Sequence, residues 1–290
     1  MNNIAAKIQH LSPSAIRSYL DNPHAFKAKY VDGRTIFAEI SPSLIEGNFV
    51  HRAIDLYWKA RLAGLHHTPA SYEAKISYAE LTTALQADNV NYGKTGSINK
   101  SIDIVTNAVD FYLKSVPELF DNQNIIPEES EATWLEDIHN PITGEILPFK
   151  LKGIVDLYAK QDGEGIIVDH KVVTAFSDPE KIVPKYTCPA MFYYFLHVSK
   201  YGTKPKALYY DEIKKTKNRD GKPQVQRVTI NFDKHNLSAM FYIFETICYE
   251  LIGQPLLDDN GVKRMLPNPF ASMGAINVFQ DFAQHIKYIF

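Results

Sequence analysis

Apolar positions recur along this chain at two different intervals, and the point where one gives way to the other divides it. Through residues 1–125 the interval is that of a helix. Ser12-Pro13-Ser14 is a helix-start signal, after which Ile16, Tyr19, Leu20 and Phe26 follow at helical spacing, with a break near Asn22-Pro23. A longer helix is predicted from about Pro42, with Ile45, Phe49, Ala53, Leu56 and Ala60 as its apolar stripe. Residues Ser71 to Phe120 read as further helices, interrupted by the polar loop from Asn91 to Gly96. From Glu128 the interval falls to two. Glu129, Glu131, Thr133 and Leu135 are predicted to share one face of a strand, and Asn140-Pro141-Ile142-Thr143-Gly144 to turn the chain into a second. The turn Asp162-Gly163-Glu164-Gly165 leads to a third strand, Ile166 to Val172, which predicts an antiparallel meander.

After the meander, Lys185 to Ser199 is helical with an aromatic face, and Ala207 to Ile213 is again a strand. A helix between strands three and four is a crossover connection, which makes the sheet mixed. A hairpin around Asp220-Gly221 adds Gln226 to Phe232, and Leu237, Met240, Phe241, Phe244, Ile247, Cys248 and Leu251 line a closing amphipathic helix. The predicted class is α/β, with a mixed central sheet flanked by helices. We expect one domain: a helical N-terminal portion (1–125), a sheet core (126–232) and a C-terminal helical portion (233–290).

Composition narrows the function classes. With 45% hydrophobic residues the chain has the material for a core. Two cysteines, Cys188 and Cys248, argue against a disulfide framework or a cysteine-bound metal and suit a reducing compartment. The N-terminus lacks an apolar signal core, and no run approaches the roughly 18 apolar residues of a membrane span. A cytoplasmic location without a membrane partner is the expectation. The net charge of −2 is unevenly spread: between Lys200 and Arg227 nine Lys or Arg face three Asp or Glu, a local +6 that leaves −8 elsewhere. A polyanion therefore has one basic segment to meet. Within it Lys214, Lys215, Lys217, Arg219, Lys222 and Arg227 are candidates to grip phosphates.

Two carboxylates carry the chemistry. Asp156 in GIVD and Asp169 in IVDHK interrupt apolar strands where Val or Ile would be expected. A hairpin brings them side by side, and the period of two points Lys171 the same way as Asp169. Unpaired, two such carboxylates repel, and burial would force a proton onto one. A divalent cation removes the conflict, and Mg²⁺ or Mn²⁺ suits hard oxygen ligands. Such an ion polarises a phosphoryl group while a neighbouring ammonium offsets developing charge, so phosphodiester hydrolysis is the reaction that fits. On the long helix His51 and Asp55 stand four apart, able to touch each other or to share a ligand.

The conjunction of apolar strand, Asp, glycine-bearing hairpin, strand ending Asp-x-Lys and crossover helix resembles the PD-(D/E)XK nuclease superfamily. Within it the chain looks like the RecB-like branch of AddB-type, CRISPR-adaptation and phage exonucleases. SPSAIRSYLDNPHAFKAKY resembles that branch's N-terminal helical motif, and GNFVHRAIDLYW its Gly-x-x-x-His helix. The resemblance implies a restriction-endonuclease-like core. It also implies metal ligands at His51, Asp156, Asp169 and the backbone carbonyl of His170, a catalytic lysine at Lys171, and a further carboxylate from Glu129 or Glu131. In the branch a Gln-x-x-x-Tyr helix places the DNA. Here Tyr193 or Tyr194 would serve, although Pro189 or Ala190 stands where Gln is expected. Some relatives bind a four-cysteine iron–sulfur cluster. Asn22 precedes Pro23 where a cysteine would be needed, and none occurs in LPNPFASMGAINVF, so no cluster is expected. The implied substrate is single- or double-stranded DNA with ends, cut by an exonuclease in repair, recombination or phage replication, with a helicase or recombinase as companion. A structure-specific endonuclease and a non-catalytic DNA-binding protein of the same fold are the alternatives.

Overall fold

The computed structural model describes residues 4–33, 40–75, 78–87, 90–93, 96–178, 184–218, 221–234 and 237–253. Arg219, Asp220 of the predicted hairpin turn, and residues 254–290 lie outside the described residues. A short strand β1 (His10–Leu11) precedes helices α1 (Pro13–Asp21) and α2 (Pro23–Phe26), with one π-helical stretch at Lys27–Val31. Then come α3 (Pro42–Leu62), α4 (His67–Ala74), α5 (Tyr78–Leu85) and α6 (Ile98–Leu119). The sheet follows as β2 (Ile125–Glu136), β3 (Lys150–Gln161) and β4 (Glu164–Val173), then α7 (Pro184–Tyr201), β5 (Ala207–Lys214), β6 (Val225–Ile230) and α8 (Leu237–Gly253).

Serines start the helices. Ser12, Ser41 and Ser97 cap α1, α3 and α6 by accepting from the amides of Ala15, Ser43 and Lys100, and in α1 and α3 a proline occupies the first turn, where its missing N–H costs nothing. Of the predicted α3 stripe, Ile45, Ala53 and Ala60 are buried and Phe49 and Leu56 partly so, and the buried face also takes in Val50, Ile54, Tyr57 and Trp58. The helix packs against α4, α5, α6 and the sheet, so its buried arc is wider than a single stripe and takes in the large aromatics.

Strands β2, β3 and β4 form the expected antiparallel meander. Strand β5 pairs parallel to β4 across the α7 crossover, and β6 returns antiparallel. The fold is the mixed α/β sheet with flanking helices that the spacing predicts. One pairing was not anticipated: two-residue β1 lies parallel to the start of β3, His10 opposite Lys150 and Leu11 opposite Leu151. Since β2 runs along one side of β3, β1 and β4 share the other. The β3–β4 ladder ends at Leu157↔Val168, so residues 152–156 are left between the two partners. Asp156 lies in that gap, and Asp169 faces it from β4.

Two apolar clusters cover the sheet. One joins α1, α7 and α8 to residues such as Leu151, Val155, Tyr158 and Ile167; the other joins α3 to α6 with Leu157, Ala159, Ile166 and Val168. Among the described residues no helix is long and apolar enough to cross a membrane. Arg227, a sequence candidate for DNA contact, is structural instead. Its guanidinium is bidentate to Asp211 at 2.7 and 2.8 Å, donates to the Leu119 carbonyl at 2.8 Å, and is sandwiched between the rings of Phe120 and Tyr209. Asp211 is fully buried, so loss of the guanidinium strands a charge. Arg227→Ala is expected to lower the unfolding free energy by about 3–5 kcal/mol. Exposed Lys217→Ala should change it by less than about 0.5 kcal/mol. Urea denaturation of the two variants checks the contrast.

Candidate metal centre

The site forms where β3 and β4 part. By register Asp156 and Asp169 would be directly opposite one step beyond the last paired residues, as the hairpin predicts. In place of the next ladder bond, the Asp156 carboxylate reaches across: its Oδ2 accepts the backbone N–H of His170 at 2.7 Å. The same oxygen lies 3.3 Å from His51 Nδ1 and 3.6 Å from His170 Nδ1. Burial alone would raise the Asp156 pKa, but hydrogen bonds from His170 and His51 hold it far below the usual carboxylate range. Burial likewise pulls His51 down, yet its contact with Asp156 more than compensates and leaves it raised. His51 therefore pairs with Asp156 and not with Asp55, whose oxygens take Lys59 at 2.6 Å and Ser130 at 2.8 Å.

Glu131 completes a triad. One donor atom each from His51, Glu131 and Asp156 lies within 4.8 Å of the others, beside a recess of 560 Å³ that Asn48 and Arg52 also line. Of the two glutamates that the sequence left open, the structure brings in this one. Glu129 turns to the α7 side, where it accepts from Lys200 at 2.9 Å, Tyr201 at 2.5 Å and Trp134 at 3.2 Å. The expectation that both share a face fails because β2 does not keep its pleat. Ser130 and Glu131 both reach the α3 side, and the break in the pleat falls at Glu131 itself, whose φ of 47° is left-handed. A non-glycine residue in that region stores about 1–3 kcal/mol of strain, a pattern concentrated at functional sites. Burial, with Asp156 beside it, pushes the Glu131 pKa up to about 7.

Asp169 and Lys171 sit across the fork. They form an ion pair, and Asp169 Oδ2 is otherwise buried without a hydrogen-bond partner. Asp169 is not in the close triad, but its charge acts on Asp156 and His51. Burial raises its pKa against the lowering effect of Lys171. For Lys171 the order reverses: burial lowers, and Asp169 with Asp156 raises it overall, so it is an ammonium at neutral pH. A second recess, of 490 Å³, opens on this side between β1, the start of α1 and α7, with Arg17, Lys152, Asp169, Lys171 and Tyr193 on its walls. Ile154 lines both recesses.

The remaining candidates scatter. Tyr193 donates its hydroxyl to the Ile154 carbonyl at 2.6 Å, satisfying part of the unpaired stretch of β3. Gly153 permits this, since a Cβ there would lie 2.6 Å from Leu196 and 2.9 Å from the Tyr193 ring. Tyr194 is a core residue, 2% exposed against Phe195 and Phe232, and offers no face to DNA. Lys215 is tied to Glu46 at 2.8 Å and Ser43 at 3.0 Å beside a separate 720 Å³ recess. Lys214 donates to Asn218 at 2.9 Å, and Lys217 is exposed. Sequence reasoning missed Lys152 and the β1–α1 wall, because a two-residue strand leaves no periodic signal.

A profile of the PD-(D/E)XK nuclease superfamily matches residues 10–263. The chain belongs to that superfamily. Among solved structures, one titled "Crystal structure of SSO0001" is similar at 16% identity and a TM-score of 0.31, over 84% of this chain and 87% of that one. No curated protein matches. Nucleases of the PD-(D/E)XK superfamily use divalent metals. The donor set here fits one: an imidazole and two carboxylates in mutual reach, the kind of nitrogen and oxygen ligands that a hard divalent ion takes.

Ligation by His51 and Glu131 would require both deprotonated, and both pKa values are raised, so metal affinity should fall as pH drops from 8 to 6. Calorimetric Mn²⁺ titrations in buffers of different ionisation enthalpy should show protons released on binding. Because folding raises the pKa of Glu131, its stabilising contribution is present at low pH and lost as pH rises through about 7. Glu131→Gln should therefore raise the thermal midpoint of the metal-free protein at pH 8 while removing the gain that Mn²⁺ confers.

Proposed function

We propose that this chain is a Mg²⁺- or Mn²⁺-dependent deoxyribonuclease of the RecB-like branch that degrades DNA from its ends. The observation that carries the reading is the convergence of His51, Glu131 and Asp156 at the fork of β3 and β4, with the Asp169–Lys171 pair facing it. These three side chains, with Asp169 and the carbonyl of His170, would hold the ion. When bound, it supplies Lewis acidity toward the phosphoryl oxygen and lowers the pKa of a bound water. The rest falls to the chain's own residues. Lys171 stays protonated, so it serves as a hydrogen-bond donor and positive charge toward the phosphorane, not as a base. A water oxygen forms the new bond to phosphorus while the bond to the leaving sugar oxygen breaks, and the proton that the water gives up balances the one that the leaving oxygen takes. The recess beside Lys171, with Arg17 and Lys152 on its walls, would receive the phosphates flanking the cut. The Tyr193 ring closes one side, its hydroxyl already committed to Ile154. The two cysteines in this sequence cannot supply the four ligands of an iron–sulfur cluster, and the proposed enzyme carries none.

End-labelled linear and circular DNA, single- and double-stranded, incubated with Mg²⁺, Mn²⁺ or EDTA, tests the proposal. Linear strands should be degraded in a metal-dependent manner and circles spared, and Asp169→Ala or Lys171→Ala should each cut the rate by about 100-fold or more. Degradation that survives EDTA, or variants as active as the parent, would refute the nuclease centre. Cleavage of circles would replace end-directed action by internal cutting.

A further inference from the structure

The side chain of His170, which lies behind Asp156, is 1% exposed, and both its ring nitrogens face polar groups. The direction of each contact can be worked out. Trp58 Nε1 can only donate, and it donates to Tyr112 Oη at 2.8 Å. Tyr112 is fully buried, and its hydroxyl proton needs an acceptor. That acceptor is His170 Nε2, at 2.9 Å. A ring whose Nε2 accepts carries its proton on Nδ1, and Nδ1 faces Asp156 Oδ2 at 3.6 Å. The His170 amide donates to the same oxygen at 2.7 Å. One residue therefore presents two N–H groups to one side of the Asp156 carboxylate.

The chain of contacts crosses four elements. Trp58 belongs to α3, seven residues after His51; Tyr112 belongs to α6, His170 to β4 and Asp156 to β3. It links the helix that supplies one proposed ligand to the orientation of another. We propose that Trp58, Tyr112 and His170 form a positioning relay that orients the Asp156 carboxylate for metal binding. This rests on the metal-nuclease reading above. His170 is a positioning residue, because it acts through Asp156. Groups behind a metal ligand characteristically set affinity in this way, with losses of about 10- to 100-fold when they are removed. If the three residues merely filled the core, Tyr112→Phe would change stability and leave the ion's affinity alone.

The full chain is titrated with Mn²⁺ alone, free ion being read by electron paramagnetic resonance, and the His170 tautomer is read from ¹⁵N shifts. Tyr112→Phe should weaken Mn²⁺ binding by about tenfold or more and shift His170 from the Nδ1–H toward the Nε2–H form. His170→Asn, whose amide N–H stands near the Nδ1 position, should keep affinity within about threefold, and His170→Ala should lose at least about tenfold. Circular dichroism and urea midpoints separate these effects from unfolding; if Tyr112→Phe does not fold, the Asn and Ala variants decide. An unchanged affinity and tautomer in Tyr112→Phe, or Asn as weak as Ala, overturns the relay. A wild type that fails to bind Mn²⁺, or Asp156→Asn that binds as tightly, overturns the metal centre itself and the relay with it.

Discussion

The structure around the fork depends on keeping one carboxylate charged inside a sheet. An ionised group taken out of water costs several kcal/mol unless charge and hydrogen bonds replace the lost hydration. Asp156, with a side chain only 13% exposed, meets that cost through the His170 amide and the two imidazoles. None of these is a bulk counterion. They are delivered by two elements distant in sequence, α3 and β4, so the charge on Asp156 is sustained only in the assembled fold. The same concentration of negative charge then acts outward. It raises the pKa of Lys171 against the effect of burial, and at Glu131 it adds to burial, which together push that carboxyl up to about 7. A cation would relieve this repulsion, which is the physical sense in which the site is prepared for one.

The sheet makes room for the centre by being incomplete. Two partners divide one side of β3, and between β1 and β4 a stretch of backbone is left open. The side chain of Asp156 and the hydroxyl of Tyr193 take over part of the hydrogen bonding that a neighbouring strand would have supplied. Unpaired backbone is costly when buried, so side-chain substitutes are what allow the gap to persist. Strain at Glu131 belongs to the same pattern: the pleat is broken at the residue that must turn toward α3.

Basic residues divide by what they are already bound to. Arg227 and Lys215 look in sequence like the rest of the segment from Lys200 onward, yet both are held in ion pairs with buried carboxylates, Asp211 and Glu46. Lys171, itself paired with the buried Asp169, borders the open recess, as does Lys152. A count of charges along the chain cannot separate these groups, because the neutralising partners come from distant elements.

Much of the fold was legible because spacing reports local geometry: serine caps, the change of period near Glu128, and the glycine turn between β3 and β4 each constrain only a few neighbouring residues. The Asp156–Asp169 opposition followed from hairpin register for the same reason, and His51 from resemblance. What the sequence could not contain is the meeting of distant parts. The pairing of β1 with β3, the choice of Glu131 over Glu129, the burial of Tyr194 and the Trp58–Tyr112–His170 contacts all depend on packing between residues tens of positions apart. Periodicity assigns a side chain to a face; only the tertiary structure decides what that face meets, and at Glu131 it overrode the periodicity as well.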